Sequence, residues 1–302
     1  MINNQLMIYG AYGYAGELMV REAVAQGLCP IIAGRDAEKL KPIATELSLE
    51  CRAFGVRNTG SNLQDISVLL NCAGPFSATA EPLARACLAQ QIHYLDITGE
   101  IDIFRKCHAL DEEARQQNVL ILPGAGTDIV PTDCLAAMLK EKLPVATRID
   151  LALSFGTNPS IGTVNTMIES FGKGGLIREG GMLKVVSNAF QMRKIPFQNK
   201  PQWAMTIPWG DVFTSGISTG VPDGAVYMAM PRMSIYMIRL TNPVKGILNT
   251  QFGQKITKRL AGWLMKKGPD AKALEAGRGQ FWGEAEAPDG KKLEMTMSTP
   301  NV

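Results

Sequence analysis

The sequence lacks the features by which membrane-spanning, disulfide-bonded and metal-binding proteins are usually recognised. Its 302 residues contain no uninterrupted apolar run of about 18 residues, which is the length that a helix needs to cross a bilayer. The first residues lead into a strand and not into a secretory leader. The chain has only two histidines, and none of its six cysteines forms a Cys-x-x-Cys pair. These absences argue against a transmembrane span, a disulfide framework and a metal site, and they predict a cytoplasmic location.

The chain also has no large excess of charge of either sign. The formal net charge is +3, with 46% hydrophobic and 20% charged residues, which is the composition of an ordinary folded protein. An excess this small does not indicate a nucleic-acid partner. We therefore expect a small-molecule partner and no nucleic acid, in a chain long enough for about two domains.

A glycine-rich turn near the amino terminus is the most informative feature of the sequence. An apolar run over residues 6–9 ends at Gly10, Gly13 and Gly16 follow at intervals of three, and residues 17–26 have helical character. A strand, a glycine turn and a helix in this order are typical of a dinucleotide-binding unit, where bare backbone and a helix N-terminus face the pyrophosphate. A plain tight turn between a strand and a helix is the alternative.

The end of the second predicted strand, residues 31–33, bears on the choice of dinucleotide. An acidic residue at this point would bind the ribose 2′-hydroxyl of NAD. The strand leads instead into Gly34 and Arg35, whose guanidinium matches a 2′-phosphate. We interpret the following Asp36 as the N-cap of a helix over residues 37–47. The pattern therefore favours NADP(H) over NAD(H).

Strand-like and helix-like segments alternate through the rest of the first half. This alternation predicts an α/β fold with a doubly wound parallel sheet, in which ligands bind at the carboxyl ends of the strands. The predicted elements are strands at 51–54, 66–73, 93–96 and 119–122, and helices at 81–90, capped by Thr79, and at 102–118.

The second half of the chain has strands without regularly intervening helices, which predicts a second α+β domain on an antiparallel or mixed sheet. We place an NADP-binding domain at 1–130 and a substrate and dimerisation domain at 131–302. Residues 180–201 receive no assignment. The predicted elements are helices at 132–142 and 163–171, strands at 148–155 and 203–209, a strand-like run at 226–240 broken by Pro231, and a hairpin of 280–286 and 292–297 that turns at 288–290.

The segment 242–267 has the pattern of a basic amphipathic helix. Its apolar residues recur at steps of one, three or four, lysines and arginines lie between them, and Trp263 is the aromatic anchor. Such a helix can make a peripheral membrane contact or cover a lipidic substrate. The alternative, which we favour, is a surface helix packed on the second domain.

Several short motifs follow one another in a fixed order, and the order is more informative than any single motif. They lie at residues 10–16, 33–36, 71–76, 94–100, 126–133, 162–163 and 280–285. In this order the chain resembles the saccharopine dehydrogenase-like oxidoreductases, and most closely the branch that includes the trans-acting enoyl reductases. The resemblance is strong over residues 5–140 and patchy over 141–290. Family members usually continue with a further carboxyl-terminal helix that packs against the nucleotide domain. None is predicted after the last strand, so we expect either a shortened chain or a cofactor domain that closes differently.

The resemblance implies an NADP(H)-dependent enzyme that transfers hydride between nicotinamide and a small or lipidic carbonyl, imine or enoyl substrate. By analogy, an exposed sheet face of the second domain would form a homodimer. Asp96 and Asp128 are the candidates for proton transfer, with a turn residue and a helix cap as the structural alternatives. The cofactor-binding residues that we expect are Gly10, Tyr12, Gly13, Tyr14, Ala15 and Gly16 for the pyrophosphate, Gly34 and Arg35 for the 2′-phosphate, Ala73, Gly74, Pro75 and Phe76 for the ribose, and Gly99, Glu100 and Thr127 for the nicotinamide.

The sequence also bears on two other functional classes. A short-chain dehydrogenase needs Tyr-x-x-x-Lys, and none of the six tyrosines has a lysine four residues on, so the proton-relay pair of that class is absent. A non-catalytic NADP-binding sensor or scaffold, associated with a membrane through the basic segment, is the alternative outside the enzymes.

Overall fold

The computed structural model describes residues 5–155, 174–244, 246, 250, 253 and 278–300, and its chain divides into two units, Met1–Asp128 and Ile129–Val302. The division lies two residues before the boundary predicted from the sequence, and the roles assigned to the two domains stay predictions. The predicted helix at 163–171 and most of the basic segment 242–267 lie outside the described residues.

The first unit is built on a six-stranded parallel sheet with the order β3-β2-β1-β4-β5-β6. This is the strand order of the doubly wound dinucleotide-binding folds, in which the crevice for the ligand lies where the order reverses, between β1 and β4. The predicted α/β class is therefore confirmed. The strands are β1 (Leu6–Tyr9), β2 (Ile31–Gly34), β3 (Cys51–Ala53), β4 (Val68–Asn71), β5 (His93–Asp96) and β6 (Ile121–Leu122).

Two hydrophobic clusters pack against the two faces of this sheet. Neighbouring side chains on a strand point to opposite faces, so Met7 belongs to one cluster, with Leu69 and Leu83, and Ile8 belongs to the other, with Val20. The helices that cover the faces are α1 (Tyr14–Ala25), α2 (Ala37–Leu47), α3 (Phe76–Ala89), α4 (Ile101–His108) and α5 (Asp111–Gln116).

Two helix predictions in this unit were wrong. Helix α3 begins at Phe76, five residues before the predicted start, because Pro75 occupies the N-cap position and Thr79 already lies inside the helix. The single helix predicted at 102–118 is two helices, α4 and α5, separated at Ala109 and Leu110. The break allows the Leu110 side chain to be buried in the core beneath it.

The described residues of the second unit form an eight-stranded sheet with the order β10-β11-β12-β7-β13-β14, to which β8 and β9 are added at β12. Strands β7 and β12 are parallel, whereas the other pairs are antiparallel. This confirms the prediction of a mixed sheet. The strands are β7 (Arg148–Ser154), β8 (Gly175–Glu179), β9 (Met182–Val186), β10 (Met192–Pro196), β11 (Pro201–Ile207), β12 (Asp223–Ala229), β13 (Arg278–Glu286) and β14 (Lys292–Pro300).

Three described helices accompany this sheet: α6 (Val130–Lys142), α7 (Asp211–Thr219) and α8 (Arg232–Leu240). Helix α6 packs closely on β13, since a Cβ atom on Gly283 would lie 2.6 Å from a methyl carbon of Leu139. The strand-like run predicted at 226–240 is correct only as far as Ala229. Pro231 then stands at the N-cap of α8, where the fixed backbone angle of proline favours the start of a helix.

In the described part of the chain, no helix combines the length and the apolar character that crossing a membrane requires.

Candidate cofactor site

The glycine loop between β1 and α1 is closely packed. Gly10 has a φ of +87°, in the left-handed region, and a Cβ atom there would lie 2.7 Å from the backbone nitrogen of Ala73. A Cβ atom on Gly16 would lie 2.2 Å from the carbonyl oxygen of Gly10, and one on Gly13 would lie 3.2 Å from the same oxygen. Side chains at these positions would fill the loop, so the bare backbone is a requirement of the fold.

The N-terminus of α1 offers backbone donors at this loop. The N–H of Glu17 bonds to the carbonyl of Gly13 at 2.8 Å, whereas the first N–H groups of a helix, here those of Tyr14, Ala15 and Gly16, have no partner within the helix. Gly13 is the N-cap, and no side chain caps the helix. The partial positive charge at such a terminus suits an anion such as a pyrophosphate.

The end of β2 lies beside the ring of Tyr12. A Cβ atom on Gly34 would lie 2.6 Å from the Cε1 atom of that ring, which explains why glycine precedes Arg35. Asp36 caps α2, because its carboxylate accepts hydrogen bonds from two backbone N–H groups, at 3.1 and 3.3 Å. The acidic residue is therefore engaged with its own helix, and the Arg35 side chain is exposed.

Two cations lie around this strand end. The Nζ atom of Lys39 is 5.7 Å from the centroid of the Tyr12 ring and 3.8 Å from an oxygen of Asp36. Burial raises the pKa of the Tyr9 hydroxyl, the nearby Tyr12 raises it further, and the charge of Arg35 lowers it. Arg35 is therefore within electrostatic reach of the end of β1, where its planar guanidinium can meet a phosphate.

The loop after β4 is held by a buried side chain. The Oδ1 atom of Asn71 accepts a hydrogen bond from the N–H of Ala73 at 3.0 Å, and the hydroxyl of Thr79 donates to the carbonyl of Ala73 at 2.6 Å. Gly74 follows, and a Cβ atom there would meet nothing within 4 Å. Protein packing therefore leaves open space at Gly74, next to the glycine loop that Ala73 contacts. Pro75 and Phe76 continue from it into the first turn of α3.

The carboxylate of Asp96 at the end of β5 is fully buried. It accepts hydrogen bonds from the Tyr94 hydroxyl at 2.8 Å, the Thr98 N–H at 3.0 Å and the Gly124 N–H at 2.9 Å. Burial raises its pKa, and these three bonds offset only part of the rise. These contacts are those expected of a residue that holds a turn at the end of a strand, which was the structural alternative for Asp96. Its role in proton transfer stays a prediction.

Four predicted nicotinamide-site residues lie in the two loops that Asp96 connects. Gly99 and Glu100 follow β5, and the Glu100 N–H donates to the buried Thr98 hydroxyl at 3.1 Å. Thr127 and Asp128 follow β6, and the Asp128 Oδ2 atom lies 3.6 Å from the place of a Cβ atom on Gly99. Solvent reaches Asp128, but the surrounding protein removes much of its hydration and raises its pKa.

Sequence reasoning missed a polar pocket of about 350 Å³ on the sheet of the second unit. One signal was available, because Asp150 stands between the apolar Ile149 and Leu151 in β7, and it pairs with Glu284 on β13. Two carboxylates directly opposite each other require nearby cations. The pocket is lined by Arg148, Asp150, Gln191, Met192, Arg193, Tyr227, Glu284, Glu286 and Lys292.

Arg193 is the centre of this pocket. Its guanidinium lies 4.7 Å from the ring centroid of Trp282 and 5.7 Å from that of Tyr227, and it bonds to Glu284 at 3.1 and 3.2 Å. Burial raises the pKa of Glu284, but Arg193 and Lys292 outweigh this effect and hold it below its ordinary value. The pocket contains three cations and three carboxylates, so the cluster neutralises itself and we do not assign it to an anionic ligand.

Comparison with protein families gives a match at the first unit. Residues 6–122 match the saccharopine dehydrogenase NADP binding domain. A saccharopine dehydrogenase-like oxidoreductase of Rattus norvegicus is 25% identical over 231 residues, which cover 67% of this chain and 53% of the relative. A Mycobacterium tuberculosis protein, provisionally named a trans-acting enoyl reductase, is 29% identical over 205 residues, with 61% of this chain and 44% of the relative covered. The chain spans about half the length of the curated relatives that it matches.

A solved structure shows the same fold. Apo saccharopine dehydrogenase (L-Glu forming) from Saccharomyces cerevisiae superposes with a TM-score of 0.65, covering 98% of this chain and 85% of the yeast chain at 9% identity. The glycine loop, the uncapped start of α1 and the open space at Gly74 fit the nicotinamide dinucleotide that such a domain binds. Residues 6–122 of this chain therefore match the saccharopine dehydrogenase NADP binding domain, and 67% of the chain is similar in sequence to a saccharopine dehydrogenase-like oxidoreductase.

Proposed function

We propose that this protein is an NADP(H)-dependent oxidoreductase, which transfers hydride between the nicotinamide and a small or lipidic carbonyl, imine or enoyl substrate. The observation that carries the proposal is the uncapped N-terminus of α1 at the glycine loop, with the exposed Arg35 at the end of the neighbouring strand. Backbone donors at such an edge bind the pyrophosphate of any dinucleotide, and a cation after the second strand accommodates the 2′-phosphate by which NADP differs from NAD.

The engagement of Asp36 supports NADP(H) over NAD(H). A carboxylate that binds the ribose 2′-hydroxyl must point at the ribose, and it would repel a 2′-phosphate. The carboxylate of Asp36 instead accepts two backbone hydrogen bonds at the start of α2. Arg35 is then the charged group left exposed directly after β2, and its guanidinium can bind a phosphate with two parallel hydrogen bonds.

When bound, the dinucleotide supplies or accepts the hydride, and the protein orients it and handles the proton. We assign the proton to Asp128, because a carboxyl whose pKa is raised by its surroundings keeps a proton closer to neutral pH than an ordinary aspartate does. Solvent contact would let Asp128 exchange that proton between turnovers. Asp96 would position the loops, since its carboxylate already accepts three hydrogen bonds.

The experiment is a titration of the full chain with NADPH and NADH separately, followed by turnover assays. The substrate panel contains aldehydes and ketones, α-keto acids with an amine, and enoyl thioesters, and the absorbance of the reduced nicotinamide is followed. We expect tighter binding of NADPH and turnover with one of these classes. The D128N variant should bind NADPH normally and lose turnover, whereas the control D111N, on the exposed face of α5, should lose neither.

Equal affinity for the two dinucleotides would overturn the assignment of NADP(H). Tight NADPH binding without turnover on any class of the panel would favour the non-catalytic sensor or scaffold. Full activity of D128N would remove that residue from proton transfer.

A further inference from the structure

Strand β14 lies at an open edge of the sheet in the second unit. Among the described residues, only those of β13 pair with it. It has nine residues, whereas the strands at the other edges of the described sheets, β3, β6, β9 and β10, have between two and five. A long unpaired edge presents a row of backbone donors and acceptors to which a further strand can bind.

The middle of β14 lacks the features by which proteins protect an edge strand from pairing. Charged side chains, proline and bulges are the usual protection. The edge strand β10 has it, since this short strand contains Arg193, Lys194 and Pro196. Residues 295–299 of β14 contain no charged residue and no proline, and the strand keeps an unbroken register with β13. The outer edge of β14 is therefore fit to accept another strand.

The hairpin turn defines which backbone groups of β14 point away from β13. The N–H of Ala287 donates a hydrogen bond to the carbonyl of Lys291 at 2.9 Å. Because hydrogen-bonded pairs alternate along an antiparallel ladder, every second residue after Lys291 bonds to β13. The residues between them direct their N–H and carbonyl groups to the open edge. These outward residues are Lys292, Glu294, Thr296 and Ser298.

One side of β14 also carries an apolar stripe that the protein covers only in part. Leu293, Met295 and Met297 lie on the same side of the strand, because side chains alternate between the two faces. Each of the three is partly exposed. Met295 lies opposite Gly283 of β13, which has no side chain to pack on it. A strand added at the open edge would bring its own side chains against this stripe and remove apolar surface from water.

We propose that β14 pairs in antiparallel orientation with β14 of a second copy of this chain, so that the sheet continues across a two-fold axis. Overlap of the two strands along their whole length places Thr296 opposite its own copy on the axis. In this register each Met295 lies opposite a Met297, and each Glu294 lies opposite a Ser298. No like charges stand opposite each other, and the same surface is used by both copies.

The self-complementary sequence favours a second copy over an unrelated extended peptide. A peptide would satisfy the same backbone groups, but it would have to supply its own match for the apolar stripe. In the two-fold pairing the methionines face one another at the non-hydrogen-bonded positions, where the side chains of paired strands lie closest. The dimer then uses the edge of the sheet and not its face. This proposal does not depend on the dinucleotide or on turnover.

The experiment is analytical ultracentrifugation of the full chain over a series of concentrations, in which we expect a monomer–dimer equilibrium. T296K and T296E should each weaken the dimer by roughly tenfold or more, because two like charges then meet on the axis. An equimolar mixture of T296K and T296E should restore the dimer, since a lysine then lies opposite a glutamate. The matched control V185K adds the same charge at an exposed residue of the edge strand β9, and it should dimerise as the unmodified protein does.

Circular dichroism and melting curves establish that the variants are folded, which is expected because Thr296 and Val185 are exposed. A chain that stays monomeric at every concentration would overturn the proposal. A dimer that T296K leaves unchanged, or that V185K dissociates to the same extent, would overturn it as well. If the mixture of T296K and T296E stays monomeric, the two copies do not meet at Thr296 and the proposed pairing is wrong.

Discussion

The carboxylate of Asp96 at the end of β5 accepts a hydrogen bond from the backbone N–H of Gly124, 2.9 Å away, in the loop that follows β6. The carbonyl of Asp96 accepts a second bond from the N–H of Ala125, at 2.7 Å. One buried residue thus fixes two neighbouring loops, and these are the loops predicted to reach the nicotinamide. The stability of these two loops should therefore depend on the protonation of Asp96.

We expect D96N to change the pH dependence of stability. The pKa of Asp96 is raised in the folded state, so the folded protein holds this proton more tightly than the unfolded chain, whose aspartates titrate near about 3.9. The contribution of Asp96 to the free energy of unfolding is therefore full below that value and is lost as the pH rises through the raised pKa. Urea unfolding at a series of pH values should show a flatter decline for D96N. Parallel profiles for D96N and the unmodified protein would contradict the expectation, and D111N is the control.

The substitution R35A should separate the two dinucleotides. Loss of the guanidinium removes charge-assisted hydrogen bonds to a 2′-phosphate, so NADPH should bind about tenfold or more weakly while NADH changes little. Fluorescence titration of both dinucleotides measures the two affinities. R115A, which removes an equally charged but distant side chain in the exposed pair with Asp111, should alter neither. Equal losses of NADPH and NADH in R35A would contradict the phosphate role.

The substitution G74A should weaken dinucleotide binding without lowering the folding stability of the protein. A Cβ atom at Gly74 meets no protein atom within 4 Å, and the same holds for Gly55 in a loop of the same unit. If the ribose lies against Gly74, the added methyl group occupies its place, and the affinity should fall by about tenfold. The control G55A should keep full affinity, and melting curves should be unchanged for both variants. A G74A protein with normal affinity would place the ribose elsewhere.

The substitution R193A should destabilise the second unit. Glu284 and Asp150 stay buried when their shared cation is removed, and the contacts with Trp282 and Tyr227 are lost as well. We expect a loss of roughly 2–4 kcal/mol in the free energy of unfolding. R115A breaks an exposed ion pair and should cost far less. If chemical unfolding shows similarly small losses in the free energy of unfolding for R193A and R115A, the cluster around Arg193 does not stabilise the second unit.

Local sequence patterns were sufficient to predict most strands and helices of the first unit. The apolar runs and the cap at Asp36 predicted β2 and α2 closely, because a buried strand and an N-capped helix have signals that lie within a few residues. Helix α3 was predicted too late, since its start depends on Pro75 in a loop that Asn71 holds from within the core. That contact is set by tertiary packing and leaves no periodic signal in the sequence.

The second unit was harder to predict for a related reason. The residues after Pro231 are mostly apolar, which resembles a buried strand when the burial of each residue is unknown. In the structure Ile235 is buried and Ile238, three residues on, is partly buried, whereas Met233 and Met237, four residues apart, are exposed. This helical spacing is evident only once the burial of each residue is known. The cluster around Arg193 joins residues from strands that are distant in sequence, and such a pairing follows only from the strand order.

The contact between Gly10 and Ala73 has a thermodynamic consequence. Because a single methyl group would not fit between these two backbones, the turn after β1 and the turn after β4 cannot shift independently. The conformational entropy of arranging both turns is then lost during folding and not when a nucleotide arrives, so the affinity is not reduced by that ordering. Heat-capacity and amide-exchange changes on nucleotide binding should accordingly be small at this pair of turns.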